Sequence, residues 1–288
     1  MISRSSFQTR AVGEVRDLLE QDPYWALYAL GDLDAERFPH ARWMIEGRSI
    51  ALLYEQFEVP ILFVLGEPDG LARAVPDRMY LQVRETVLDR IRETHAVEPI
   101  RPAIRMRLEE GAFRPVCVEE CERLTAADLA EVEQLYQDGL GTGESPDFFY
   151  PSMLEEGVFV GCRRDGRLVA VAGTHLIGRT AGVAAIGNIY THRSYRRRGL
   201  GAQVTTGVVK ELLRMGIRRI GLNVYEANEA AQRVYRELGF VEHSRYFEGA
   251  ATRYGSHPDG GAPAEAGAHP EGAPGGPAGG GTVPANGR

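Results

Sequence analysis

Lysine is almost absent: of 33 basic residues, only Lys210 is not arginine. Positive charge does not dominate either. Forty acidic residues leave a formal net charge of −7, which argues against general binding of nucleic acid or of an anionic membrane. Cysteine is equally scarce. Cys117, Cys121 and Cys162 form no CxxC pair and no metal spacing with histidine, so they read as reduced packing cysteines of a cytoplasmic chain, and no metal is expected. No apolar run approaches the ~20 residues needed to span a bilayer. Met1 to Arg10 lacks the basic-then-apolar pattern of a secretory signal.

What is present suits folded cores. Hydrophobic residues make up 43% of 288 positions, a length that favours more than one compact unit. Residues 251–288 are set apart as a Gly/Pro/Ala tail, with the composition shifting near Gly255; so few large apolar side chains cannot offset the entropy of ordering. The rest divides near Arg114-Pro115. In 1–114, short helices at Val12 to Leu19 and Tyr24 to Leu30 precede three antiparallel strands within Trp43 to Leu65. A short helix at Leu71 to Val75, a strand at Met79 to Val83, a helix at Glu85 to Thr94 and a strand at Ala103 to Leu108 follow. In 115–250 the spacing predicts β-α-α-β-β-β-α-β-α-β. A hairpin turns at Asp165-Gly166, and a helix from Gly199 to Met215 carries Leu200, Val204, Val208 and Leu212 on one face. The grammar of the two halves is similar, a hint of duplication.

The informative stretch joins the apolar strand Val183 to Thr191 to that helix through Arg196-Arg197-Arg198-Gly199-Leu200-Gly201. A helix start offers unpaired N–H groups and the positive end of the helix dipole, and glycine removes the side chains that would block an anion. The arginines add charge suited to several phosphates. Taken alone, an Arg-Arg-Arg solvated run and an ordinary turn glycine weigh about as heavily. A P-loop is excluded because no Gly-Lys-Ser/Thr follows, and the dinucleotide fingerprint lacks its last glycine.

Here the sequence resembles the GNAT superfamily of acyl-CoA N-acyltransferases. Its Gln/Arg-x-x-Gly-x-Gly/Ala signature is matched by Arg196, Gly199 and Gly201. A second block agrees at Leu222-Asn223-Val224, Asn228, Ala231, Val234-Tyr235 and Leu238-Gly239-Phe240. The match spans about Val116 to Gly249. Within the superfamily the layout resembles glycine N-acyltransferase-like proteins, which carry a degenerate acyltransferase-like half before the active one. The resemblance implies an α+β fold, a mixed and mostly antiparallel sheet flanked by helices, in two tandem halves. It also implies acetyl-CoA as cosubstrate and acyl transfer to a primary amine of a small molecule, an amino acid among the candidates. A protein N-terminus or lysine as acceptor, or a non-catalytic acyl-CoA sensor, are the alternatives.

Carried over residue by residue, the resemblance puts the coenzyme pyrophosphate on the backbone of Arg197, Arg198, Gly199, Leu200, Gly201 and Ala202, with Arg196 beside it. The pantetheine arm would lie along Ile189, Tyr190 and Thr191, where two parallel strands splay, Gly187 marking the bulge; Asn223 and Asn228 would touch the coenzyme. Tyr235 matches the tyrosine that protonates the leaving thiolate, and a phenol of pKa about 10 suits that task. The base is open. No glutamate stands between Val183 and Thr191; Asn188 could orient a water, and His175 titrates near neutrality. Glu144 and Asp147 are further alternatives, and His192 is a coenzyme-side contact or simply exposed.

Overall fold

The structure is a computed structural model that describes residues 7–109, 111–118, 121–142, 144–146 and 148–256. Helices α1 (Val12–Leu19) and α2 (Leu27–Gly31) lead into strands β1 (Ala41–Glu46), β2 (Ser49–Tyr54) and β3 (Ile61–Leu65). Then come α3 (Leu71–Ala74), β4 (Arg78–Val83), α4 (Glu85–Arg92), β5 (His95–Val97) and β6 (Arg101–Leu108). After an extended link, β7 (Cys121–Arg123), α5 (Leu129–Gln137) and α6 (Met153–Glu156) precede β8 (Val160–Arg164), β9 (Arg167–Gly178) and β10 (Val183–Thr191). Helix α7 (Leu200–Arg214), β11 (Arg219–Tyr225), α8 (Glu229–Glu237) and β12 (Phe240–Arg253) complete the order.

The local reasons are legible. Thr125 caps the approach to α5 through a capping box with Asp128. Asp165 and Gly166 both have positive φ, as a tight hairpin between β8 and β9 requires. The expected α7 stripe of Leu200, Val204, Val208 and Leu212 is buried against the sheet, each side chain contributing about 1.5–3 kcal/mol.

Along one sheet the strands run β1-β2-β3-β4-β12-β6-β11-β10-β9-β8-β7, with β5 on β12. Each half contributes an antiparallel trio followed by a parallel partner: β1-β2-β3 with β4, and β8-β9-β10 with β11. The halves then exchange their last strands. The first half's β6 pairs with β11, and the second half's β12 pairs with β4. β6 and β12 pair with each other in the middle.

Two expected boundaries are corrected by this exchange. The link at Arg114-Pro115 does not separate independent bodies, because β6 and β12 bind across it and the contacts group the chain through Ser256 as one unit. β12 also runs to Arg253 instead of stopping short of 251, because Ala251 and Thr252 pair with Met79 and Arg78 while Arg253 pairs with His95. Residues 257–288, most of the expected tail, lie outside the described residues. The strand expected over Val116 to Leu124 shrinks to β7.

The cysteine expectation is also overturned. Cys121 and Cys162, 41 residues apart, are directly paired on β7 and β8 and form a disulfide, while Cys117 is free and exposed. Among the described residues no helix is long and apolar enough to cross a membrane.

Candidate active site

β10 and β11 pair in parallel only from Val183/Arg219 to Ile186/Leu222. Beyond that point β10 stays on β9, with Tyr190 opposite Val171 and Thr191 opposite Ala170, while β11 stays on β6, with Asn223 opposite Arg105. The strands therefore diverge, and residues 187–191 face a wedge. A register shift between Gly187 and Tyr190 and a positive φ of 52° at Asn188 produce the departure. Gly187 is required there for space: a Cβ would lie 2.2 Å from His175 Nε2.

Alternation gives the wedge two faces. Ala184, Ile186, Ile220, Leu222 and Val224 pack with α7 and α8. Val183 and Ala185 point the other way and share a core with α1 and α2 of the first half. The partition decides what can reach the wedge from each side.

At the top of β10 the chain makes a short 3-10 turn, Arg193–Tyr195, then passes through Arg197 (φ 60°) and Gly199 (φ 75°) into α7. Gly199 is the N-cap, in the left-handed region, and no side chain among the described residues caps the helix. A Cβ on Gly201 would meet nothing nearer than Thr191 Oγ1 at 3.8 Å. A 15-residue helix thus presents its first-turn N–H groups without a competing side chain, the arrangement that binds phosphate. Leu200 is core-facing and offers only its backbone; Ala202 packs beside that core.

The three arginines separate in role. Arg196 grips Glu144 with two bonds of 2.8 and 3.0 Å and lies over the Tyr190 ring. The Arg196 guanidinium holds the Glu144 carboxyl below its usual range, which weakens Glu144 as a base. Arg198 stacks on Tyr195, its guanidinium carbon 5.1 Å from the ring centre. Arg197 makes no ion pair among the described residues. Asp147, the other acidic candidate, lies outside the described residues.

Sequence reasoning missed Asp138, which ties the turn to α5. It accepts bonds from Tyr190 Oη at 2.9 Å and the Arg193 N–H at 2.8 Å, with His192 Nε2 3.6 Å away. Burial pushes its carboxyl up, but these donors and the Arg193 guanidinium outweigh it and leave the pKa at about 2. His192 Nδ1 accepts from the Ser194 N–H and so caps the 3-10 turn. Nothing in local spacing marks Asp138, because its partners lie some 50 residues on.

The remaining candidates are dispersed. Tyr235 sits in α8 at 6% exposure, its ring centre 6.3 Å from that of Phe240; burial pushes its phenol above the ordinary range and keeps it protonated. Asn228 caps α8 by accepting the Ala231 N–H at 3.1 Å. Asn188 is 4% exposed, donates to Met153 Sδ at 3.4 Å, and leaves Oδ1 without a partner among the described residues. The Asn223 side chain departs from a coenzyme contact: it turns to the first-half face, where Arg105 Nε donates to Oδ1 at 3.1 Å and Nδ2 donates to Tyr28 Oη at 3.4 Å. His175 meets the same Tyr28 hydroxyl at 3.1 Å through Nδ1. Tyr28 carried no motif and was not anticipated.

Residues 127–240, from α5 to the start of β12, match the model of the Acetyltransferase (GNAT) family. That match lies within the second half of the chain. A mycothiol acetyltransferase from Nocardiopsis dassonvillei is 26% identical over 192 residues, covering 65% of this chain. The matched stretch spans about half, 53%, of that relative. Among solved structures, a protein from Drosophila superposes with a TM-score of 0.63 at 16% identity, covering 86% of this chain and 98% of its own. A GNAT-family protein from Novosphingobium aromaticivorans reaches 0.56 at 21% identity, covering 81% and 97%. These likenesses extend beyond residues 127–240 and show the GNAT fold over most of the chain.

Proposed function

We propose that the protein transfers an acetyl group from acetyl-CoA to the primary amine of a small molecule, an amino acid among the candidates. One observation carries the reading: the β10–β11 wedge stands beside a strand that runs through Gly199 into the uncapped start of α7. The coenzyme pyrophosphate would bind the N–H groups of 197–202, and the pantetheine arm would extend along the backbone of Ile189, Tyr190 and Thr191. A backbone N–H there would stabilise the developing oxyanion. Tyr235, kept protonated by burial, would donate its proton to the departing CoA thiolate. No metal enters this scheme.

The first half has a different task in this reading. As in the glycine N-acyltransferase-like layout, it is a degenerate copy without a coenzyme site. Between β3 and β4 stands only the four-residue α3, and Arg-x-x-Gly-x-Gly is missing from its approach. Its α2 instead brings Tyr28 to His175, whose ring lies against Gly187 at the start of the wedge, which favours a small acceptor over a protein N-terminus or lysine. The test is a thiol-release assay with acetyl-CoA against pooled amines and amino acids. Release that depends on a small amine supports the reading; coenzyme binding with no release across the panel would make the protein a sensor. Release only with peptides would move the acceptor to protein.

A further inference from the structure

A buried chain of hydrogen bonds crosses from the first half to the wedge, and its direction is fixed at the far end. Arg105 is 1% exposed on β6, its guanidinium carbon 4.7 Å from the Trp25 ring centre and 5.1 Å from that of Tyr28. Its Nη1 donates to the Trp25 carbonyl and its Nε donates to Asn223 Oδ1 at 3.1 Å. Arginine has no acceptor atom, so the amide of Asn223 must present oxygen to it and nitrogen to Tyr28. The Tyr28 oxygen then accepts the Asn223 N–H at 3.4 Å, which frees the phenolic proton for its other hydrogen-bond neighbour among the described residues, His175 Nδ1 at 3.1 Å. Burial pushes the Tyr28 phenol well above its ordinary range, so that proton stays on oxygen.

From this geometry we infer that neutral His175 is held with its proton on Nε2, and that it acts at the wedge as a hydrogen-bond donor and not as the base that deprotonates the amine. Nε2 is the nitrogen beside Gly187: a Cβ on that glycine would stand 2.2 Å from it. A ring nitrogen that already carries hydrogen has no lone pair in the ring plane for an ammonium proton, and Nδ1 is committed to Tyr28. Tyr28, Asn223 and Arg105 are positioning residues: they act through His175 by selecting its tautomer. Two of them, Tyr28 and Arg105, belong to the first half, so that half would set the chemistry of a side chain in the second. The inference rests on the acetyltransferase reading for its role, but the tautomer itself does not.

The tautomer is measured directly in the full-length protein labelled with 15N-histidine. The chain has seven histidines, and the signal that vanishes in His175→Gln identifies the ring. Long-range 1H–15N spectra near pH 8 should show the pattern of the Nε2-protonated form in the wild type, and Tyr28→Phe should convert it to a mixture. An Nδ1-protonated wild-type ring, or a Tyr28→Phe spectrum identical to wild type, overturns the inference whether or not the protein transfers acetyl groups. Turnover gives the second readout. Gln places an amide N–H near the Nε2 position and Asn places one near Nδ1, so His175→Gln should retain at least about tenfold more kcat than His175→Asn. Loss of a true general base would cost both variants alike, about 10²–10⁴-fold, and that result would restore His175 as the base.

Discussion

The two parallel crossovers of the sheet begin alike and end differently. β3 reaches β4 through a turn and the four-residue α3, whereas β10 reaches β11 through the 15-residue α7. Each crossover carries a glycine in the left-handed region, Gly66 at φ 83° directly after β3 and Gly199 at φ 75° as the N-cap of α7. Gly66 is boxed in, since a Cβ would lie 2.5 Å from Ser49 Oγ, while Gly199 has nothing within 4 Å. The first glycine closes a turn against β2, and the second leaves the front of a long helix open. One topology thus yields a strut in one half and, in the other, the open helix start proposed to bind the coenzyme phosphates. The deciding variables are helix length and the space before the first turn.

The largest expected effect would break this comparison if it failed. Replacing Gly199 and Gly201 together with valine should weaken acetyl-CoA binding by about 100-fold or more, the loss of two charge-assisted bonds, read by calorimetry. Gly66→Ala should leave that affinity unchanged while destabilising the fold by about 1–3 kcal/mol in denaturant titrations. Comparable loss of affinity in both variants would erase the distinction. Next in size, Tyr235→Phe should lower kcat roughly 10²-fold with acetyl-CoA affinity intact; undiminished turnover at saturating substrate would remove Tyr235 as the acid.

The cross-link also separates the halves. Cys121–Cys162 closes a loop of 41 residues in the second half, so reduction should cost about 3–4 kcal/mol of stability, seen as a lower unfolding midpoint in dithiothreitol. A midpoint indifferent to reductant would show that the bond does not constrain the unfolded chain.

The smallest effects are opposite pH slopes. In the first half, burial raises the Asp32 carboxyl to about 7, with Arg37 opposing it. The folded state therefore holds that proton longer, and this contribution to stability is complete below about pH 4 and lost as pH rises toward 7. In the second half Asp138 is held at about 2, so its contribution is present above about pH 4 and lost as pH falls toward 2. Urea titrations of Asp32→Asn and Asp138→Asn across pH 2 to 8 should flatten the neutral and the acid limb respectively. A swap of the limbs, or no change, would contradict the assignment.

Much of this architecture was readable locally. Apolar runs bounded by turn residues located β1 to β4, the 3.6-residue stripe set α7, and Asp165-Gly166 marked its hairpin. The expected order of elements after residue 115 is the order observed, apart from short 3-10 turns. β5 escaped notice because three residues carry no usable period. Near the wedge, the need for glycine at 199 was legible because its left-handed φ is a demand of the turn itself, whereas the crowding of Gly187 comes from His175, twelve residues away on the neighbouring strand. Tyr28 and Asp138 were not, because their value lies in partners far along the chain; Tyr28 and His175 are 147 positions apart.

The sequence by itself therefore determined the periodic elements and the glycine turn that begins α7, since period and φ preference act over one or two turns of chain. Tertiary structure alone decided the exchange of β6 and β12, the joining of Cys121 to Cys162, and the direction in which Asn223 faces. Each of these depends on groups brought together across strands, and no local preference encodes which distant donor a buried amide will meet.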